Sequence, residues 1–148
     1  MAKTMKATIQ RMESFLSALG YLDTVSVGEP KEAPQGVHGS IFLAPYTHIG
    51  TTLNGTIERR AVTIRIYLNA LAEPREDIEF NMDAIISELQ EDLLGDFDLG
   101  GDIRNIDVTF MTVEFGYQDI GAQGGAVKYR IGDLLIPMIV DDSAVFVQ

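Results

Sequence analysis

The segment DFDLGGD, residues 96–102, is the one place where acidic side chains recur at metal-ligand spacing. Asp96, Asp98 and Asp102 stand at positions one, three and seven of a would-be calcium loop. Position five, which must supply an oxygen, is Gly100, and position twelve, which wants a bidentate glutamate, is Asp107. These three aspartates are therefore only weak metal candidates, and a polar helix-to-strand turn explains them better. The two histidines, His38 and His48, are ten residues apart with no third ligand at a telling distance, and both fall where loops are expected. No serine sits in a nucleophile-elbow motif. The glycines of LGGDIRN and of residues 116–126 match neither a dinucleotide fingerprint nor a Walker loop. With no cysteine, thiol nucleophiles, zinc-thiolate sites and disulfides are excluded. The reading is no enzyme and no cofactor.

Bulk properties narrow the class further. The chain has 148 residues and a formal net charge of −11. Its length suits one domain, 1–148. Eleven lysines and arginines are too few to hold a polyanion, so stable nucleic-acid binding is disfavoured, although an acidic surface can face DNA without gripping it. No apolar run approaches the ~20 residues that span a bilayer, and the first residues lack the continuous apolar stretch of a signal peptide, so no membrane partner is expected.

The elements that would position such residues follow from periodicity. Met5, Ile9, Met12, Leu16 and Leu19 share one helix face over residues 3–19, and Gly20 follows as a stop. Residues 22–28 and 39–46 read as short strands, the second ending at Pro45. Residues 57–68 alternate, with Val62, Ile64, Ile66 and Leu68 on one side. A second helix is expected over 76–94, carrying Ile78, Met82, Ile85, Ile86, Leu89 and Leu93, with Glu76 and Asp77 near its positive end. Residues 103–115 and the stretch YRIGDLLIPMIVDD, residues 129–142, complete the strands. Residues 30–38, 47–56 and 116–126 read as mobile loops, and 142–148 as a short tail. The order α-β-β-β-α-β-β, with hairpin-length links, predicts an α+β domain: a mostly antiparallel sheet of about five strands flanked by two helices.

LNALAEPREDIEFNMDAIISELQEDLLGDFDLGGDIRNIDV, followed by GGAVKYRIGDLLIPMIVDD, resembles the tail terminator proteins of long-tailed, siphovirus-type bacteriophages, especially those of actinobacteria. The shared features are an AEP-x-x-x-I opening to the second helix, a DF-x-LGG-x-R-x-(I/V)D turn and a closing YR-x-x-D-x-x-(I/V)P-x-IV-(D/N)D. GEPKEAP, residues 28–34, also fits, while the last six residues, SAVFVQ, depart from the pattern. The resemblance implies a ring, usually of six copies, on the last ring of the tail tube in the virion neck, assembled in the host cytoplasm. Its partners would be copies of itself, the tail tube protein and the head connector, with DNA passing through the lumen. Another head-completion or tail-completion component of the neck, and less readily a small metal-dependent enzyme, are the alternatives. Interface candidates are His48, Ile49, Leu53 and Asn54 in the 47–56 link; Arg59, Arg60 and Arg65 on one strand, where Arg59 and Arg65 share a side; Pro137; and Phe146 in the tail. Lacking an amide hydrogen, Pro137 is expected on an edge strand or beside a bulge.

Overall fold

The computed structural model describes residues 5–52, 55–70, 74–95, 103–106, 111–121 and 126–141. In chain order the elements are α1 (Lys6–Ser17), β1 (Thr24–Val27), β2 (His38–Thr52), β3 (Gly55–Asn69), α2 (Arg75–Gly95), β4 (Ile103–Ile106), β5 (Thr112–Ile120) and β6 (Val127–Asp141). The α+β class and the expected element order hold. The predicted strand over 103–115 is divided: β4 and β5 both lie antiparallel along the same edge of β6, β4 opposite residues 138–140 and β5 opposite residues 127–135. The sheet thus has five ribbons in the order β1-β2-β3-β6-β4, with β5 continuing the β4 position.

Among the described residues antiparallel pairing is broken only between β1 and β2, which run parallel with Thr24 opposite His38 and Val27 opposite Ile41. Hairpin-length spacing suggested the opposite sense. The connection over 28–37 is long enough to cross back, and it is tied down at several points. Asp23 N donates to Val37 O (2.8 Å), Gly28 N to Ile41 O (2.8 Å), and the Tyr129 hydroxyl to Pro34 O (2.6 Å). Gly36 has φ of 71°, and a Cβ there would run into the Asp23 carboxylate that accepts from Val37 N, so only glycine fits this corner.

Strand alternation gives the sheet two different faces. Val62, Ile64, Ile66 and Leu68 of β3 pair across with Ile136, Leu134, Gly132 and Arg130 of β6. α1 packs over β1 and β2, and α2 over β3 and β6. Met12 and Leu16 of α1 and Met82, Leu89 and Leu93 of α2 join Ile41, Ile64, Leu134 and Ile136 in one fully buried core. Gly132 leaves room for α2: a Cβ would stand 2.8 Å from the Met82 sulfur and 3.3 Å from Ile86. Tyr21, after α1, donates to Asp92 on α2 (2.7 Å) and so fastens the two helices to each other; burial, and then that bond, hold its phenol well above the ordinary range.

Several sequence expectations change here. The link over 47–56 is not a mobile loop for most of its length: β2 runs to Thr52 and β3 begins at Gly55 directly opposite it. Pro45 does not end the strand, because register shifts between Ala44 and Thr47 and between His48 and Gly50 absorb it, and a bulged strand tolerates a missing donor. β5 extends through Ile120 into the supposed 116–126 loop. His38 is the first residue of β2, not part of the loop, and is buried. Pro137 is on no edge: it is buried in β6, opposite Ala61 of β3. It falls where β6 changes its other neighbour, Leu135 facing Thr112 of β5 and Met138 facing Ile106 of β4. Asp96, Asp98, Asp102, Leu53, Asn54 and Phe146 lie outside the described residues.

The core assignment separates two leucines on the same sheet face. Leu134→Ala should lower unfolding stability by about 2–5 kcal/mol, whereas Leu43→Ala, at a side chain that is 69% exposed, should shift it by no more than about 0.5 kcal/mol. Urea midpoints of the two variants provide the comparison.

Candidate assembly surface

The face of the sheet turned away from the helices carries the polar groups. Thr24, Ser26, His38 and Ser40 meet there because β1 and β2 run parallel and in register. Thr24 Oγ1 is 2.6 Å from His38 Nδ1, Ser26 Oγ is 3.0 Å from His38 Nε2, and Ser40 Oγ is 3.1 Å from the same nitrogen. Ser26 also lies 3.0 Å from Ser40 and donates to Gly28 O at 3.1 Å. A serine beside a histidine invites comparison with a nucleophile and base. Among the described residues the imidazole contacts three hydroxyls and no carboxylate, and it is 4% exposed, so no substrate can reach it. Burial lowers the His38 pKa and keeps the ring neutral. The ring stacks obliquely near Tyr67 (centroids 5.6 Å apart), and Tyr67 meets Tyr129 edge-on at 6.0 Å. The Tyr67 hydroxyl is close to Ser40 and Arg65 but reaches neither in hydrogen-bond geometry; burial raises its pKa.

Arg65 stands beside this cluster. Its Nε and Nη2 donate to the two carboxylate oxygens of Asp133 at 2.7 and 2.9 Å, and Nη1 donates to Gln118 Oε1 at 2.7 Å. The guanidinium carbon is 5.4 Å from the Phe42 ring centre. A fork filled on both prongs inside one chain is already satisfied, so Arg65 meets its acid at home rather than across a subunit boundary. The bond to Asp133 raises its pKa above the ordinary arginine value. Arg60, half-buried, is opposite Met138 on the alternate side of β3 from Arg65. Arg59 pairs with Thr47 and Ile139, His48 pairs with Glu58, and Ile49 falls within the second register shift. The structure thus brings Arg59, His48 and Ile49 toward the turn end of the β2–β3 hairpin, leaves the Pro137 position opposite its middle, and sets Arg65 toward its open end.

A different surface escaped the sequence reading. Along β5, Phe115 and Tyr117 are 49% and 55% exposed on the helix side of the sheet. Arg130, opposite Tyr117 on β6, holds its guanidinium 4.7 Å from the Tyr117 centroid and 5.6 Å from that of Phe115. Its Nε is 2.7 Å from Glu79 Oε1 off the hydrogen-bond line, Nη2 donates to Glu79 Oε2 at 3.1 Å, and Nη1 donates to Gly116 O at 3.1 Å. Lys128 Nζ is 5.6 Å from the Tyr117 ring centre. Exposed aromatics held by arginine form the kind of patch that protein interfaces concentrate. The signal available in sequence was the alternation in TVEFGYQDI, obscured because the glycines around it suggested a loop.

A cavity of about 440 Å³ opens between the 33–37 crossover and the start of α2, lined chiefly by Val37, Leu68, Ile78, Val127 and Tyr129. Among the described residues its lining is mostly apolar and carries no charged group. Among the described residues there is no group of three or more metal-capable side chains, and no helix is long and apolar enough to cross a membrane. A scan against protein-family models and a search of curated proteins found no match.

Two outcomes are expected. Because the folded His38 pKa lies below its unfolded value of about 6.5, the unfolded chain takes up the proton first. Stability should fall as pH drops through about 6.5, and continue falling until the buried ring itself is charged. In His38→Gln this part of the slope should vanish, as denaturation at several pH values would reveal. Arg65→Ala, which strands a carboxylate that is 23% exposed, should cost about 1.5–3 kcal/mol, and a double-mutant cycle with Asp133→Ala should return a coupling above about 0.5 kcal/mol.

Proposed function

We propose that this chain is a structural virion protein: a tail terminator that forms a ring of six copies at the head-proximal end of a phage tail tube. In this reading it stops tube growth, presents the docking surface for the head connector, and lets DNA pass through the lumen. The order and spacing of the AEP, LGG and closing YR…IVDD motifs support it, as does the α+β sheet in which the closing motif supplies an inner strand.

The observation that carries the proposal is a long sheet with a charge-free flank. β2, β3 and β6 have 15 residues each, about 50 Å at the usual rise and longer than most strands of small domains. From Ala33 to Ile57 the sequence has no Asp, Glu, Lys or Arg, in a chain of net charge −11. Beyond Ile41, β2 pairs only with β3 among the described residues. A neutral strand edge in so acidic a protein is where copies of the chain or a tube ring can approach without like-charge repulsion. The remaining acidity suits a lumen through which a polyanion must slide. The buried Ser26–His38 contact and the apolar cavity favour packing roles over turnover.

Purified protein added to isolated tail tubes should cap one end of each tube and halt its elongation, visible by negative-stain electron microscopy. Binding to isolated connectors but not to tubes would reassign the chain to another neck position, and turnover of any substrate at its surface would remove the structural reading.

A further inference from the structure

We infer that the outer edge of β5 is the receptor for the closing tail of a second copy, residues 142–148, which adds to the sheet as an extra strand. This deepens the ring reading and rests on it. Three observations lead to it. First, β5 is a nine-residue strand with unbroken register from Thr112 to Ile120, and among the described residues it pairs only with β6. It contains no proline, and a regular open edge of this kind is a template for strand addition unless something covers it. Second, the edge carries its own anchor, the half-exposed Phe115 and Tyr117 braced by Arg130. Third, the tail has matching chemistry. Ala144, Val145, Phe146 and Val147 form an uncharged, strand-prone run, whereas the opening MAKT carries a lysine.

Reach decides whose tail it is. Asp141 closes β6 opposite Ile57, at one end of the sheet, while Phe115 and Tyr117 face Gly132 and Arg130. From Asp141 back to Gly132 is about 30 Å along the strand, and to Arg130 about 37 Å, at the antiparallel rise. Phe146, five residues past Asp141, can stand at most about 18 Å from it. A chain cannot lay its own Phe146 against its own Phe115 and Tyr117, so the occupant comes from another copy. Donor and receptor are then different surfaces, and each copy that receives a tail offers its own onward. That is the head-to-tail arrangement that closes into a ring.

The test uses a fluorescein-labelled peptide of residues 141–148, DDSAVFVQ, titrated with the full chain and followed by anisotropy. Saturable binding is expected, weakened about tenfold or more by Phe146→Ala in the peptide. Tyr117→Ala in the protein should weaken it by a similar factor, while Leu43→Ala, at the far flank of the same sheet face, should leave it within about twofold. Thermal melts check that the protein variants fold, with Phe115→Ser as a second variant and the peptide substitution independent of folding. No binding, or binding indifferent to both Phe146 and Tyr117, overturns the inference. Tube capping without peptide binding removes this inference and leaves the ring reading; peptide binding without tube capping keeps the strand addition and removes the tail-terminator reading.

Discussion

The unbroken register between β3 and β6, from Ile57 opposite Asp141 to Asn69 opposite Tyr129, is the constraint on which everything else rests. Side chains alternate strictly across a pleated sheet, so a slip of β6 by one residue against β3 would turn Leu134 and Ile136 toward water and carry Asp133 under the helices, away from Arg65. The two faces enforce each other. On one, apolar side chains seat α1 and α2; on the other, a carboxylate and a guanidinium from strands far apart in sequence meet on both prongs. The ion pair is partly exposed, so its worth lies less in raw stability than in the penalty it places on every other register.

That division of labour accounts for Pro137. A central strand must donate to neighbours on both sides, and a proline there removes one donor. The chain places it where β6 passes from β5 to β4, so on that side of the strand the proline stands at a change of partner, while the register with β3 runs on past it. Ala61 opposite is small, and both residues are buried. Pro45 is handled differently, by register shifts within a strand that lies at the flank of the sheet. The same residue type thus marks a seam in one strand and a bulge in another.

What could be read from sequence was what has a local period. The α2 stripe from Ile78 to Leu93 and the alternation from Val62 to Leu68 need only their own neighbours, and both elements stand where periodicity put them. What could not be read depended on partners distant in the chain. β1 and β2 run parallel because the 28–37 crossover is held by Asp23 and Tyr129, and the second of these is some ninety residues away. Arg65 looked like a candidate for an external acid because Asp133, its partner, gives no signal at position 65. The glycines of residues 47–56 and 116–126 suggested coil, yet cross-strand pairing imposed extended structure on much of both stretches, as tertiary context commonly does. The exposed side of β5, with Phe115 and Tyr117, was hidden by the same bias.

The sheet also sets an order of events during synthesis. β3 cannot find its central neighbour until β6 has been made, and a whole helix and two strands intervene. At ordinary translation speeds of about 5–20 residues per second, the β2–β3 hairpin waits for several seconds on the ribosome with its apolar side unfinished. Pairings this remote are slow to find and leave sticky intermediates exposed meanwhile. A nascent chain of this topology is therefore a natural client for chaperones, and many copies made at once on one messenger would risk joining through their half-built sheets before any of them is complete.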